Sequence, residues 1–268
     1  MKSRLLVSAV GAPVLLYVVL WGPPAALVVS LAALAAVAAW ELAHCAGVPG
    51  RSFPMFLTVA AAAFTVCLAW VEPEILGHLW TALILVLFFH AVCRGGEVSF
   101  QQVMACVAAG MLIPYSFSTL LLTWQEGIHR GYLILPFVFS FMSDTGGYFA
   151  GRAFGRHKLA PRISPHKTVE GAVGGLVGNL LGGAVFAFIM ETWCGQNISY
   201  PLILALGLVC SVAAQVGDLS FSLVKREFGV KDYGRIFLEH GGVLDRFDSV
   251  IFVLPFLTAV LRLVLSFD

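Results

Sequence analysis

Charged and hydroxyl side chains gather at the end of an apolar stretch, in residues 215–226. Asp218, Ser222 and Lys225 are spaced so that on a helix they fall within an arc of about 60°. A carboxylate, a hydroxyl and an ammonium would then share one face, with Arg226 beside them. A salt bridge that caps a helix end accounts for this stripe equally well, so the stripe alone does not establish a functional site.

A second dense run of charge, residues 231–248, leads into the last apolar stretch. His240, Gly241 and Gly242 predict a flexible turn whose backbone amides can approach an anion, because glycine has no Cβ. Asp245 and Asp248 would project to one side of a helix. Together with Asp218 they would repel one another strongly unless a cation neutralises them. Oxygen-only ligation fits Mg²⁺ bridged to substrate phosphates, so the residues predict a site for one or two magnesium ions.

An earlier segment adds three further candidates. Asp144 lies within or at the end of an apolar helix, where an unpaired acid is expensive and marks a functional site by default. A buried ion pair with Arg152 or Arg156 is the alternative. Lys167 and Thr168 precede a predicted helix start, where free amides and the helix dipole favour a phosphate. The glycines that follow at four-residue spacing predict close helix packing.

Apolar stretches that could carry these residues through a bilayer recur along the whole chain. Of the 268 residues, 59% are hydrophobic and 12% are charged, whereas a soluble domain carries about 25% charged residues. The candidate spans are 5–21, 25–46, 54–71, 76–93, 102–124, 131–152, 171–193, 200–224 and 247–266. They predict an all-α polytopic membrane protein of about nine transmembrane helices. The first stretch also resembles the start of a signal peptide, but no convincing cleavage site follows it.

The basic residues fall on one side of these spans. Fourteen of the sixteen lysines and arginines lie on the side of the N-terminus, which predicts that this side is cytoplasmic and that the chain ends outside. If the chain is bacterial, the membrane is the inner or plasma membrane. Residues 1–130 have short, bland loops and predict an N-terminal region of about five spans. Residues 131–268 predict a catalytic region of about four spans with two basic cytoplasmic loops.

Several classes of function are disfavoured. A net charge of +1, without aromatic residues interleaved with positive charge, excludes a nucleic-acid partner. The six cysteines occur singly, without metal-ligand spacing. A transporter would bind its cargo along a polar path, but the charges gather at the ends of spans and in two loops, and no internal repeat is evident.

These motifs resemble those of the phosphatidate cytidylyltransferases, also called CDP-diacylglycerol synthases. The long motif of that family is matched by Ser222-x-x-Lys225-Arg226, Lys231-Asp232, Gly234, His240-Gly241-Gly242 and Asp245-Arg246-Phe247-Asp248. The segments 143–148 and 164–171 are also similar to the family. Two positions depart from the family pattern: Leu238-Glu239 stands where Pro-Gly is usual, and His166 stands where many members have a second lysine.

The resemblance implies a reaction in which CTP and phosphatidate give CDP-diacylglycerol and pyrophosphate, with Mg²⁺, at a site facing the cytoplasm. The implied catalytic residues are Asp218, Ser222, Lys225, Arg226, His240, Asp245 and Asp248, and the three aspartates among them hold the metal. The implied substrate contacts are Asp144, Lys167, Thr168, Gly241, Gly242 and Arg246. The expected partners are CTP, phosphatidate and the bilayer, and a homodimer stays open. Another CTP-using membrane lipid enzyme is the alternative, and a transporter is a more distant one.

Overall fold

The computed structural model describes residues 14, 16–234 and 241–265 of the chain. Eight long helices are present in this part, and a short antiparallel hairpin lies between the fifth and the sixth. The helices are α1 (Pro24–Cys45), α2 (Phe53–Val71), α3 (Leu76–Cys93), α4 (Phe100–Gln125), α5 (Leu135–Phe154), α6 (Val169–Cys194), α7 (Tyr200–Glu227) and α8 (Leu244–Leu265). The strands are β1 (Lys158–Ala160) and β2 (Ser164–Thr168).

The helices begin where the sequence supplies caps. The Ser99 hydroxyl accepts the Gln102 backbone N–H, and the Gln102 side chain accepts the N–H of Ser99, which forms a capping box at the start of α4. Thr168 caps α6 in the same way, with its hydroxyl 3.1 Å from the backbone nitrogen of Gly171. Proline at the first position of α1 has no N–H that would need a partner.

The predicted all-α membrane class is confirmed. Among the described residues, seven helical segments are long and apolar enough to span a membrane, and they correspond to the second to eighth predicted spans. The ninth predicted span is helical as α8, which carries charged residues in its first turn. The first, 5–21, falls mostly outside the described residues, although residues 16–20 are helical.

The sequence patterns did not predict the hairpin. Lys158 pairs with Thr168, and Ala160 pairs with Ser164. The Glu170 carboxylate accepts the backbone N–H of Arg156 at 3.1 Å and lies 2.6 Å from Nδ1 of His157. The hairpin is therefore fastened at its base to the first turn of α6.

The chain divides into two compact units. The first comprises the described residues of Met1–Gly127 and Glu227–Phe247, and the second comprises those of Ile128–Arg226 and Asp248–Asp268. Helix α8 therefore begins in the first unit and continues in the second. The first unit has a buried core that includes Met55, Leu83, Leu87 and Cys106. The second has a core built on Phe139, Phe186, Met190, Cys210 and Leu257.

Within the second unit, α5 and α6 pack through glycines, as the four-residue spacing predicted. A Cβ on Gly171 would lie 2.9 Å from the Gly147 carbonyl oxygen, and one on Gly175 would lie 3.0 Å from that of Ser143. Such distances leave no room for a side chain. The opposite face of α6 presents exposed apolar residues, namely Val173, Val177, Leu181, Val185 and Phe188. We interpret this face as lipid-facing, since a spanning helix places its larger apolar side chains toward the hydrocarbon.

Candidate active site

The stripe predicted on residues 218–225 lies on one face of α7. The Ser222 hydroxyl is 3.4 Å from Oδ1 of Asp218, one helical turn away. The Ser222 and Lys225 side chains are buried. Asp218 forms an ion pair with Lys167, the penultimate residue of β2, and both side chains retain about a quarter of their exposure, at 21% and 27%. Asp218 is therefore in an ion pair, but its cation comes from the hairpin and not from the stripe on α7.

Two further aspartates lie next to this ion pair. Asp144 of α5 interacts with Lys167 and with the Ser249 hydroxyl, which also lies 3.3 Å from Oδ1 of Asp248. Asp248 of α8 is buried and accepts the backbone N–H of Ser249 at 2.7 Å. Both Lys167 and Lys225 interact electrostatically with Asp248. We call Asp144, Lys167, Asp218, Lys225 and Asp248 the aspartate–lysine cluster, and all five belong to the second unit.

Opposing influences act on Lys167 in this cluster. Burial is the largest and lowers the pKa of Lys167 below its ordinary value, and the nearby Lys225 acts in the same direction. The carboxylates of Asp144 and Asp248 partly offset that lowering. Lys167 is therefore a partly desolvated ammonium surrounded by carboxylates, a state suited to binding an anion that enters from outside.

A polar network between three helices fixes the cluster. The hydroxyls of Ser143 and Ser211 are 3.0 Å apart. The Gln215 side chain donates to the Ala172 carbonyl at 3.1 Å and lies 3.2 Å from the Ser211 hydroxyl. The Asn179 side chain donates to the Gly207 carbonyl at 3.0 Å. These bonds join α5, α6 and α7, so Asp144, Lys167 and Asp218 are held by one rigid framework.

Two residues expected at the phosphates are engaged with the backbone. The Thr168 hydroxyl caps α6, as described above, and the residue is 8% exposed. Nε of Arg226 lies 3.2 Å from the Ile163 carbonyl oxygen at the hairpin turn and donates to it. Both residues therefore position the hairpin that carries Lys167, whatever contacts they make to a substrate.

The remaining predicted site residues lie in the first unit or outside the described residues. Oδ2 of Asp245 accepts the backbone N–H of Tyr233 at 2.8 Å and that of Gly242 at 2.9 Å. Gly241 has φ +79°, a left-handed conformation that favours glycine. Arg246 lies in the first turn of α8, where its N–H donates to the Val243 carbonyl. His240 and the unusual Leu238-Glu239 pair lie outside the described residues.

The donor chemistry of the cluster fits a hard divalent cation. Its three carboxylates outnumber its two lysines, and oxygen ligands are what Mg²⁺ prefers. In the part of the chain that the structure describes, no three acidic, histidine or cysteine side chains lie in a position to hold a metal ion together. The Lys167 ammonium instead contacts Asp218. A cation could therefore bind Asp218 when Lys167 leaves that carboxylate.

Sequence patterns did not group some of these residues. The spacing suggested Asp218, Asp245 and Asp248 as one set, whereas the structure surrounds Lys167 with Asp144, Asp218 and Asp248. No sequence pattern distinguishes Ser249 from the other hydroxyl residues of the spans. Asp144 carried a signal, an acid in an apolar span, but its distance in sequence from Asp248 gave no reason to pair the two.

Comparison with known proteins identifies the family of the chain. Residues 2–264 match the model of the cytidylyltransferase family. A phosphatidate cytidylyltransferase of Staphylococcus saprophyticus is 39% identical over 197 residues, which are 72% of each chain. The phosphatidate cytidylyltransferase of Staphylococcus haemolyticus is 37% identical over 67% of each chain. That of Staphylococcus aureus is 36% identical over 72% of this chain and 71% of the relative. With nearly its whole length matched and its charged residues clustered at the motif positions, this chain belongs to the cytidylyltransferase family.

Proposed function

We propose that this protein transfers the cytidylyl group of CTP to phosphatidate, releasing pyrophosphate and leaving CDP-diacylglycerol in the membrane. The names of the three staphylococcal relatives support this reaction. The helices long enough to span a bilayer suit a lipid substrate that does not leave it. The observation that carries the proposal is the aspartate–lysine cluster, because it joins the two motif regions, residues 143–168 and 218–248, around one ammonium.

The reaction does not need a dedicated general base. A phosphate monoester has a second pKa of about 6 and is already mostly ionised at neutral pH. Its oxygen can therefore attack the α-phosphorus of CTP directly, provided that the two anions are held together and in line. Lys167 and Lys225 supply the positive charge for that purpose. Ser222 and His240 are proposed as hydrogen-bond donors to the phosphates, with Arg226 and Arg246 as further cations.

We propose Asp218 and Asp248 as ligands of Mg²⁺, with Asp144 near them. Asp245 is a further ligand proposed from its sequence position three residues before Asp248. When bound, Mg²⁺ would neutralise charge on the nucleotide phosphates during in-line displacement. Lys167 would then have two roles: it neutralises Asp218 in the arrangement described, and its ammonium would be available to the phosphates if Asp218 held a divalent cation.

We further propose that the cluster faces the cytoplasm. CTP is a cytoplasmic nucleotide, so the site must open to that side. In the nine-span topology predicted from the sequence, fourteen of the sixteen lysines and arginines fall on the side of the hairpin and of the α7–α8 connection. Positive charge in loops is retained in the cytoplasm during insertion, which supports this orientation.

Purified protein in detergent, supplied with labelled CTP, Mg²⁺ and phosphatidate, tests the reaction. We expect stoichiometric pyrophosphate and a lipid that carries CMP. Diacylglycerol and a non-glycerol lipid phosphate replace phosphatidate in parallel reactions. Product with one of these and none with phosphatidate would assign the chain to another class of CTP-using lipid enzyme. Light scattering on the same preparation measures whether it is a monomer or a homodimer.

A further inference from the structure

A carboxylate of helix α1 is completely buried and has no part in the mechanism above. Glu41 lies near the end of that apolar helix and has no exposed surface. Its Oε1 accepts the backbone N–H of Val243 at 3.0 Å, and its Oε2 accepts that of Leu244 at 2.7 Å. Both partners lie more than two hundred residues further along the chain, yet Glu41 and these partners belong to the first unit.

The two bonds satisfy the start of helix α8. The first N–H groups of a helix have no intrahelical acceptor, and the helix dipole favours a negative charge there. Asp245 accepts the N–H of Gly242, and Glu41 accepts the next two. Two carboxylates therefore hold three successive N–H groups, in the segment that joins the His240-Gly241-Gly242 turn to Asp245.

Glu41 also accounts for two glycines of the long motif. A Cβ on Gly242 would overlap the Glu41 carboxylate. A Cβ on Gly234 would overlap Oε1 and lie 3.0 Å from the carboxyl carbon of Glu41. Gly242 and Gly234 are therefore needed for the approach of the chain to Glu41, in addition to any approach to a phosphate.

We propose that Glu41 is a positioning residue for the reaction: from α1 it holds the backbone of residues 242–244 and so sets the geometry of Gly241-Gly242 and of Asp245. The inference rests on the proposed function, because that function assigns the turn and Asp245 to the nucleotide and its metal. Glu41 acts through the backbone of the motif and not through the substrate. A residue of the N-terminal spans thereby fixes the backbone next to Asp245, which lies in the same unit.

Replacement of Glu41 separates positioning from general structure. Glutamine offers one acceptor oxygen and turns an NH₂ group toward an N–H donor, so Glu41→Gln should lower kcat by about tenfold or more. The KM for phosphatidate should change by less than about twofold, because Glu41 touches no substrate. Glu41→Asp keeps both oxygens on a side chain one methylene shorter and should recover part of the lost kcat. Wild-type kcat in Glu41→Gln would overturn the proposal.

A double-mutant cycle tests the contact directly. Gly242→Ala should be severely impaired, since its new methyl group meets the carboxylate. Glu41→Ala removes that carboxylate, so Glu41→Ala with Gly242→Ala should be no slower than Gly242→Ala alone. Independent effects would instead multiply. Multiplying losses in kcat would show that the two residues do not interact and would refute the inference.

Controls distinguish this inference from the proposed function. Glu97 is an exposed glutamate, with 74% side-chain exposure and an Arg94 partner, and Glu97→Gln should keep wild-type kcat. A wild type that makes no CMP-bearing lipid would defeat the proposed function. An active wild type with Glu41→Gln as fast as Glu97→Gln defeats only the role of Glu41. If Glu41→Gln fails to fold, as judged by thermal unfolding and size exclusion, Glu41→Asp is measured in its place. A kcat of Glu41→Asp equal to that of the wild type would then contradict the proposal.

Discussion

Replacing Lys167 with methionine tests the role of the aspartate–lysine cluster most directly. Methionine has a similar length and no charge, so Lys167→Met leaves three carboxylates opposed by Lys225 alone. Without divalent cation, we expect the variant to be less stable than the wild type, because Asp218 loses its ion-pair partner. With Mg²⁺, we expect it to bind the ion more tightly, because no ammonium competes for Asp218.

The size of the effect follows from the exposure of the pair. Two unit charges about 5 Å apart interact by about 3 kcal/mol at an effective dielectric constant of about 20. The side chains of Lys167 and Asp218 are 27% and 21% exposed, so solvent screening reduces this value to about 1–2 kcal/mol. Since about 1.4 kcal/mol corresponds to tenfold in affinity, Lys167→Met should bind Mg²⁺ about tenfold more tightly.

Thermal unfolding in detergent across a Mg²⁺ titration measures this difference, because an ion that binds only the folded state raises Tm with its concentration. Lys167→Met should reach half of its maximal rise in Tm at about one tenth of the wild-type concentration. Asp218→Asn should need more Mg²⁺ than the wild type. Turnover should fall by orders of magnitude in both variants, since one loses a phosphate contact and the other a metal ligand.

Lys158 of β1 is the matched control, since it is an exposed lysine on the same hairpin. Lys158→Met should respond to Mg²⁺ as the wild type does. If Lys167→Met and Lys158→Met have the same Mg²⁺ midpoint, Lys167 does not occupy the cation position. If Mg²⁺ leaves the wild type unchanged while the Asp→Asn variants misfold, the aspartates are structural ion-pair partners and the metal-dependent mechanism is wrong.

Other consequences can be measured separately. A single cysteine at Arg156 should react with an impermeant thiol reagent only after the cells are opened; labelling from outside would reverse the orientation. Leu238→Pro with Glu239→Gly should lower the KM for CTP by removing a negative charge near the phosphates, and an unchanged or raised KM would indicate a different substrate or binding mode. Because burial lowers the pKa of Lys167 below 10.5, activity should decline on an alkaline limb below that pH, and Lys167→Arg should move the limb upward. At pH values between the lowered pKa of Lys167 and 10.5, this lysine is protonated in the unfolded chain and neutral in the folded one, so its contribution to the free energy of unfolding rises with pH. Lys167→Met should lose this rise in unfolding measurements. Gly174→Val should destabilise the folded protein by about 1–3 kcal/mol, since a Cβ there meets the Gly146 carbonyl oxygen at 2.7 Å, and no change in Tm would contradict the α5–α6 packing.

The sequence by itself determined the helical membrane class and the positions of the described spans. Hydrocarbon cannot satisfy backbone N–H and C=O groups, so an apolar stretch of sufficient length has to be helical. The sequence also predicted which residues share a face of one helix, because the spacing of Asp218 and Ser222 determines their common face without reference to any other helix. The spacing of the glycines in α6 also predicted that this helix packs closely against another, although it did not identify α5 as the partner.

Contacts between distant segments were decided by the tertiary structure. The pairing of Lys167 with Asp218, of Asp144 with Ser249, and of Glu41 with the start of α8 joins residues separated by about fifty to two hundred positions. Periodicity carries no information about which faces of different helices meet. In the sequence, Glu41 is one polar residue in an apolar span. Folding brings the first N–H groups of α8 to its carboxylate, and these N–H groups need an acceptor because water is absent there.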